Sequence, residues 1–220
     1  GAPPVPATVT YDREYTPFRD ITPDTFDWDA LLDTEVLLVT GITAALTQNT
    51  ADVVAYAVER AHAQGVRVAL DVNHRTKLWT PERAAFVLGP LLDKVAILFC
   101  SATDGRTVFG IHGSGPEVNQ RLHSAAGVQH VVSTDGTLGV YYTGPEGSER
   151  FDVAPVKVID RPGAGDAFVA GTLHGYLDGD VVSGIHYGLR TSKYALTHYG
   201  DLTHITPAEL EIPTTTDILR

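Results

Sequence analysis

Asp166 stands in the run DRPGAGDAF, Asp160 to Phe168, with Gly163, Ala164 and Gly165 just before it and the apolar stretch AFVAGTLHGYL following. Small residues there let the backbone turn tightly and let a phosphate approach the peptide N–H groups that a first helical turn leaves unpaired. Pro162 fixes φ just ahead of that turn. Asp166 then falls in the first turn, where the helix dipole favours its ionised form, so it can accept a proton from an alcohol attacking a phosphoryl group. The pattern predicts an anion hole with a base inside it. A plain loop and N-cap draw on the same residue types, and a bare GxGD does not separate the two.

A second group lies at DVNHRTKLW, where an apolar run ends in Asp71, Asn73, Arg75 and Lys77. If that run is a strand of an open α/β sheet, these residues emerge at the carboxyl edge where ligands bind. The guanidinium of Arg75 can hold a carboxylate or a phosphate in two bonds. An Asp-Asn-His cluster also reads as an ordinary polar loop.

The elements that must position these groups follow from periodicity. The opening GAPPVPATVTYDREYTPFRDITPD, rich in proline and threonine, reads as an irregular lead-in outside the core, followed by a capped short helix at DWDALLDT. EVLLVTG is a buried strand, TADVVAYAVERAHAQG a helix ended by Gly65, and VRVALDVN a second strand. PERAAFVLGPLL is helical with Pro81 in its first turn, VAILFC a third strand, and GPEVNQRLHSAAG a helix. VQHVVST is a fourth strand, and GTLGVYYTGPEGSERFDVAP a hairpin closed around Gly144, Pro145 and Gly147. Two helices, about 165–178 and 181–199, complete the pattern. Apolar strands alternating with helices predict an α/β fold, three layers about a mostly parallel sheet covered on both faces.

The signature DRPGAGDAF followed by Ala170 and Gly171 resembles that of the ribokinase-like (PfkB) carbohydrate kinases, D-x-x-G-A-G-D-x-F followed by A-G. The resemblance implies ATP with Mg²⁺ as cofactors, Asp166 as catalytic base, and the N–H groups of Gly163, Ala164 and Gly165 as the anion hole. The segment D-x-N-x-R-x-x-L-W resembles the branch acting on 2-keto-3-deoxy sugar acids, closest to 2-keto-3-deoxygluconate kinases, which makes Arg75 the contact to the substrate's acid end. VTYDRE resembles that branch's Y-x-R element, adding Tyr11 and Arg13, and HYGD aligns Asp201 with a G-D element near the substrate, although a helix C-cap explains Asp201 equally well. STDGTLG resembles the family's K-x-G-x-x-G segment, with Thr134 in place of lysine and Gly136 and Gly139 retained. Asn73, Ser101, Thr134, Gly136, Gly139, Gly163 and Gly165 are the implied nucleotide contacts. Where the family has N-x-x-E, this chain has SATD, so Asp104 takes the place of the carboxylate that orders magnesium.

The resemblance covers residues 1–220 as one kinase domain, the C-terminal two-thirds of the family fold, with residues 1–30 as the segment that would follow the lid. The opening strands, the di-glycine substrate motif and the lid are missing, and the 220 residues contain no methionine. A piece of a longer kinase is the expectation, with one edge of the sheet left open. The lid often forms a dimer interface in this family, so the expected partners are a small-molecule sugar acid, ATP and a second copy in a homo-oligomer. Kinases of a neutral sugar or a nucleoside, and a non-catalytic nucleotide-binding relic, are the alternatives.

Sixteen basic and twenty-seven acidic side chains give a net charge of −11, which repels nucleic acid and anionic membranes, and a salt-adapted surface accounts for the same excess. No apolar run is long enough to span a bilayer, and no signal peptide opens the chain. One cysteine, Cys100, excludes an intrachain disulfide and fits a reducing, cytoplasmic setting. Nine histidines without CxxC or HExxH spacing argue against zinc.

Overall fold

In the computed structural model, the residues described are 10–202 and 204–211. They fall into two compact units, one of Tyr11–Val153 and one formed by the chain up to Thr10 together with the chain from Ala154 onward.

The first unit carries a six-stranded sheet in the order β1 (Val36–Thr40), β2 (Arg67–Asp71), β3 (Ile97–Phe99), β4 (His130–Thr134), β5 (Val140–Gly144) and β6 (Gly147–Phe151). The first four strands are parallel, in registers such as Thr40 beside Asp71 and Asp71 beside Phe99. Parallel neighbours need crossovers. These are supplied by α2 (Gly41–Ala44) and α3 (Gln48–Ala63), then α4 (Pro81–Leu88), then α5 (Ala102–Thr107) and α6 (Gly115–Ala126). β5 and β6 form the expected hairpin, with Gly144 opposite Gly147.

Helix boundaries have local causes. Thr47, Thr80 and Ser114 cap α3, α4 and α6, and Gly127 ends α6 at φ +67°. After Leu88 the chain tightens into a 3₁₀ segment, Gly89–Lys94. Pro90 has no N–H with which to extend the α ladder.

Leu70, Leu98, Val68, Val131, Val58, Leu88, Val118 and Leu122 are fully buried between sheet and helices. The cover is incomplete at both edges, where the sequence leads one to expect two covered faces. Four of the five residues of β6 are exposed, and Leu38 on β1 is 46% exposed. Among the described residues β1 pairs with β2 alone, as expected of a sheet with an open edge.

The stretch read as a lead-in contributes more than expected. α1 (Trp28–Leu31) is capped by Asp27. Trp28 is buried in the core, with its indole N–H donating to the Pro23 carbonyl at 2.6 Å, and Ile21 and Phe26 pack on the same cluster. Two proline-led 3₁₀ turns, Pro17–Asp20 and Pro23–Thr25, bring these side chains inward.

The second unit is built on α7 (Ala164–Leu177) and α8 (Val181–Leu196), followed by the short α9 (Pro207–Glu211). The first two pack backbone to backbone. A Cβ at Gly171 would lie 2.7 Å from the Gly188 nitrogen and from the Thr191 hydroxyl, so glycine is needed for the approach. Buried Thr172 and Thr191 turn their hydroxyls to backbone carbonyls, Thr172 to Phe168 at 2.9 Å and Thr191 to Ala167 at 2.6 Å.

Candidate active site

At the carboxyl end of β2 the chain makes a sharply constrained loop. The Val72 N–H donates to the Phe99 carbonyl at 2.9 Å and prolongs the parallel ladder by one residue. Asn73 then adopts φ +39°, a left-handed conformation that asparagine tolerates better than most side chains. His74 and Arg75 follow, near the Asp104 carboxylate. Beyond them, the Leu78 N–H donates to the Arg75 carbonyl at 2.8 Å and closes a turn. Buried Trp79 stacks on the His74 ring, with centroids 6.4 Å apart and planes 26° apart. Arg75 and Lys77 are exposed on this loop. Among the described residues Arg75 has no carboxylate within ion-pair distance.

Ser101 and Asp104 meet that loop from the end of β3. The Ser101 hydroxyl oxygen accepts from the Asp104 N–H at 2.9 Å and so caps α5. Burial pushes the Asp104 carboxyl above its ordinary range, opposed by hydrogen bonds from Ser101 and the His74 N–H and by the nearby His74 and Arg75. Cys100 is buried, and burial, with Asp104 and Asp71 adding to it, pushes its thiol well above its usual range. A thiol held neutral is no nucleophile, in keeping with a structural cysteine.

Thr134 ends β4, and the turn after it is closed by the Asp135 N–H donating to the Gly139 carbonyl at 3.0 Å. Gly136 sits in that turn at φ +58°. Tyr11 and Arg13 lie together, the guanidinium carbon 5.9 Å from the tyrosine ring centroid.

In the second unit Gly163 is the N-cap of α7 at φ +76°, and the Ala167 N–H donates to its carbonyl at 2.8 Å. Ala164 makes only a long contact, 3.4 Å, to the Arg161 carbonyl. The N–H groups of Gly165 and Asp166 have no acceptor among the described residues, and Asp166 is exposed. Asp160 secures the loop: Oδ1 accepts from the Arg161 N–H at 2.9 Å and Oδ2 from the Gly200 N–H at 3.3 Å. α8 ends at Leu196 with Thr197 as its C-cap, so Asp201 lies beyond the cap. Its backbone carbonyl abuts Gly163, and its side chain is exposed.

The sequence profile of the pfkB family carbohydrate kinases matches residues 7–208. The chain belongs to that family. It is 31% identical over 219 residues to the 2-dehydro-3-deoxygalactonokinase of Haloferax volcanii, covering 96% of this chain and 67% of that protein. It is 32% identical over 181 residues to the 2-dehydro-3-deoxygluconokinase of Thermoproteus tenax, covering 80% of this chain and 54% of that one. The crystal structure of the Thermotoga maritima 2-dehydro-3-deoxygluconokinase superposes with a TM-score of 0.84 at 25% identity, over 94% of this chain and 68% of that one. The pfkB-family chain thus spans 54% to 68% of the length of these relatives.

Within this pfkB-family unit of Tyr11–Val153, Asn73, Arg75, Ser101 and Asp104 come together around one loop. Gly163, Ala164, Gly165, Asp166 and Asp201 gather in the other unit. Three participants were not singled out from the sequence. His74 stacks on buried Trp79, a pairing no sequence pattern announces. Helix α5 was missed, although Ser101-x-x-Asp104 is a capping pattern. Arg106 on α5 places its guanidinium 3.6 Å from Asp135, beside the position where the family's lysine is replaced by Thr134.

Proposed function

We propose that this chain is the nucleotide- and acceptor-handling part of a kinase that phosphorylates the terminal hydroxyl of a sugar acid, with 2-keto-3-deoxygluconate going to its 6-phosphate as the leading substrate. The observation that carries the acid is Arg75, an exposed guanidinium at a strand's carboxyl end with no carboxylate within ion-pair distance among the described residues. Arg13 and Tyr11 would join it in orienting the substrate, and Asp201 would contact the substrate end nearer α7.

In the transfer the acceptor hydroxyl gives its proton to the Asp166 carboxylate while its oxygen bonds to the γ-phosphorus of ATP. The bond from that phosphorus to the β,γ-bridging oxygen breaks, and ADP leaves. N–H groups of Gly163, Ala164 and Gly165 stabilise the negative charge on the transferring group, and the open backbone there lets it approach. Ser101, Asn73, Thr134, Gly136 and Gly139 would line the nucleotide.

A magnesium ion accompanying ATP is held chiefly by phosphate oxygens. Asp104, on α5 at the end of β3 and partly withdrawn from solvent, is the carboxylate that would help order it, through water. No step is routed through the ion.

The test is an ADP-release assay with 2-keto-3-deoxygluconate, 2-keto-3-deoxygalactonate, fructose and ribose. Release that depends on the acids, and that Arg75→Ala weakens for them selectively, is the expected result. Equal use of neutral sugars would reassign the substrate. ATP binding without sugar-dependent ADP release would identify a non-catalytic relic.

A further inference from the structure

The turn between β4 and β5 carries three of the proposed nucleotide contacts, Thr134, Gly136 and Gly139. The strands on either side of it are locked together by buried Asn119 of α6. Its amide donates to the Ser133 hydroxyl at 2.9 Å and to the Tyr141 carbonyl at 3.0 Å, and its oxygen accepts from the Thr143 hydroxyl at 2.6 Å. Within the turn the Leu138 N–H donates to the Asp135 carbonyl at 3.0 Å, and the Leu138 carbonyl accepts from the Arg150 guanidinium at 3.2 Å. These bonds keep the turn within its own hairpin. The Asp135 carboxylate leads out of it, lying 3.6 Å from the Arg106 guanidinium on α5. The Asp135 side chain is only 12% exposed, so its charge left unpaired would be poorly hydrated.

Both partners are seated from other directions. Arg106 Nε donates to the Gly113 carbonyl at 3.1 Å. The preceding Gly105 presses α5 onto α6, where a Cβ would stand 2.5 Å from buried Val118. At the start of α6 a Cβ on Gly115 would come within 2.8 Å of the same Asp135 oxygen and would overlap the Tyr141 ring. The carboxylate thus lies at the positive end of the α6 dipole as well as beside the guanidinium. α5 follows β3 and the turn follows β4, its parallel neighbour, so both segments open at one edge of the sheet.

We infer that Arg106 and Asp135 are positioning residues for the nucleotide: their ion pair ties the β4–β5 turn to α5 and fixes the turn relative to the end of β3, where Ser101 caps that helix. The inference rests on the reading of Thr134, Gly136 and Gly139 as nucleotide contacts. Arginine suits the task better than lysine, because one planar group serves the Gly113 carbonyl and the carboxylate from different nitrogens.

The experiment compares Arg106→Ala, Arg106→Lys, Asp135→Asn and the Arg106→Ala/Asp135→Asn pair in the full-length protein, by steady-state kinetics and by amide exchange with and without ADP. Arg106→Ala should raise the KM for ATP roughly tenfold, within the range that couples contacting residues, while kcat and the KM for the sugar acid change less than about twofold. Asp135→Asn keeps the shape of the side chain against α6, so it removes the pairing without disturbing that seat, and it should raise the same KM. Arg106→Lys keeps a charge beside Asp135 and should recover part of the loss. The pair should be no worse than Arg106→Ala alone, because the two residues act through one contact. The Leu138 amide should exchange faster in Arg106→Ala while α3 stays protected, and ADP should slow exchange at the turn in the unaltered protein. Additive losses, an unchanged KM for ATP, or unchanged exchange at Leu138 would overturn the inference. If ADP leaves exchange at the turn unaltered, the reading of the turn as a nucleotide contact fails with it. If ADP protects the turn and the variants keep their KM for ATP, the role of the pair alone fails.

Discussion

The backbone carbonyl of Asp201 occupies the space that a Cβ on Gly163 would need. Gly163 is also at φ +76°, so two independent constraints fix glycine at the N-cap of α7. Gly163→Ala should therefore destabilise the second unit by roughly 2 kcal/mol or more, combining left-handed strain with displacement of the segment after α8. Kinase turnover should fall further than the loss of folded protein explains if the displaced N-cap carries the proposed anion hole. Thermal unfolding and kcat on the same samples separate the two effects. An unchanged melting temperature would show that the Asp201 carbonyl moves freely.

Gly165 predicts the opposite combination. A Cβ there meets nothing within 4 Å, and the residue has ordinary helical backbone geometry. Alanine in a first helical turn should leave stability unchanged or raise it by about 0.5 kcal/mol. The open space is what a phosphoryl group would enter, so Gly165→Ala should reduce kcat/KM for ATP by an order of magnitude or so. Stable protein with full activity would show that the transferring group does not approach this face.

The strands, the hairpin around Gly144 and Gly147 and the α7–α8 pair were legible because apolar runs and turn residues are local signals. The glycine-flanked start of α7 was legible for the same reason: its residues are neighbours in the chain. What was not legible depends on contacts between distant segments. Arg106 meets Asp135 across 29 residues, with 3.6 Å between guanidinium and carboxylate. Ile21 was read as part of an irregular lead-in because proline-rich sequence has no periodicity, yet it packs on the core cluster between two proline-led turns.

Several helix ends should give way together in acid. Hydrogen bonds from Ser114 hold the Glu117 carboxyl below the usual glutamate range, those from Thr206 do the same for Glu209, and those from Ser183 hold Asp180 below the usual aspartate range. A depressed folded-state pKa contributes stability above the unfolded pKa that is lost as pH falls through the folded value. Asp104 has the opposite sign, since burial raises it: its ionised form costs stability at neutral pH, and that cost is relieved in acid. Melting temperature should drop between about pH 5 and about pH 3. Glu117→Gln, which keeps a side-chain acceptor, should flatten the part of that drop belonging to α6, and an identical pH profile would refute the assignment.

Glycine in a helix interior is ordinarily less favourable than alanine by about 1 kcal/mol, so Gly171→Ala would stabilise an isolated helix. Here the added methyl would stand 2.7 Å from the Gly188 nitrogen, a backbone atom that cannot rotate away. The two helices would have to separate, exposing Ile185 and Leu173 and pulling Thr191 from the Ala167 carbonyl. Gly171→Ala should destabilise by roughly 1–3 kcal/mol, measured by denaturant unfolding.

Asp166→Asn addresses the chemistry alone. The side chain is exposed, so an isosteric amide leaves packing untouched. Within the first helical turn the amide keeps the shape of the carboxylate but loses its negative charge and its basicity, and the helix dipole interaction weakens by only about 0.3–1 kcal/mol. If Asp166 takes the acceptor proton, kcat should fall by about 10²–10⁴ while the dissociation constant for ATP changes little. If it merely caps the helix, turnover should follow stability and remain near normal. Measuring ATP affinity, melting temperature and single-turnover transfer in one preparation distinguishes the base from the cap, because only the base predicts loss of transfer with both other quantities preserved.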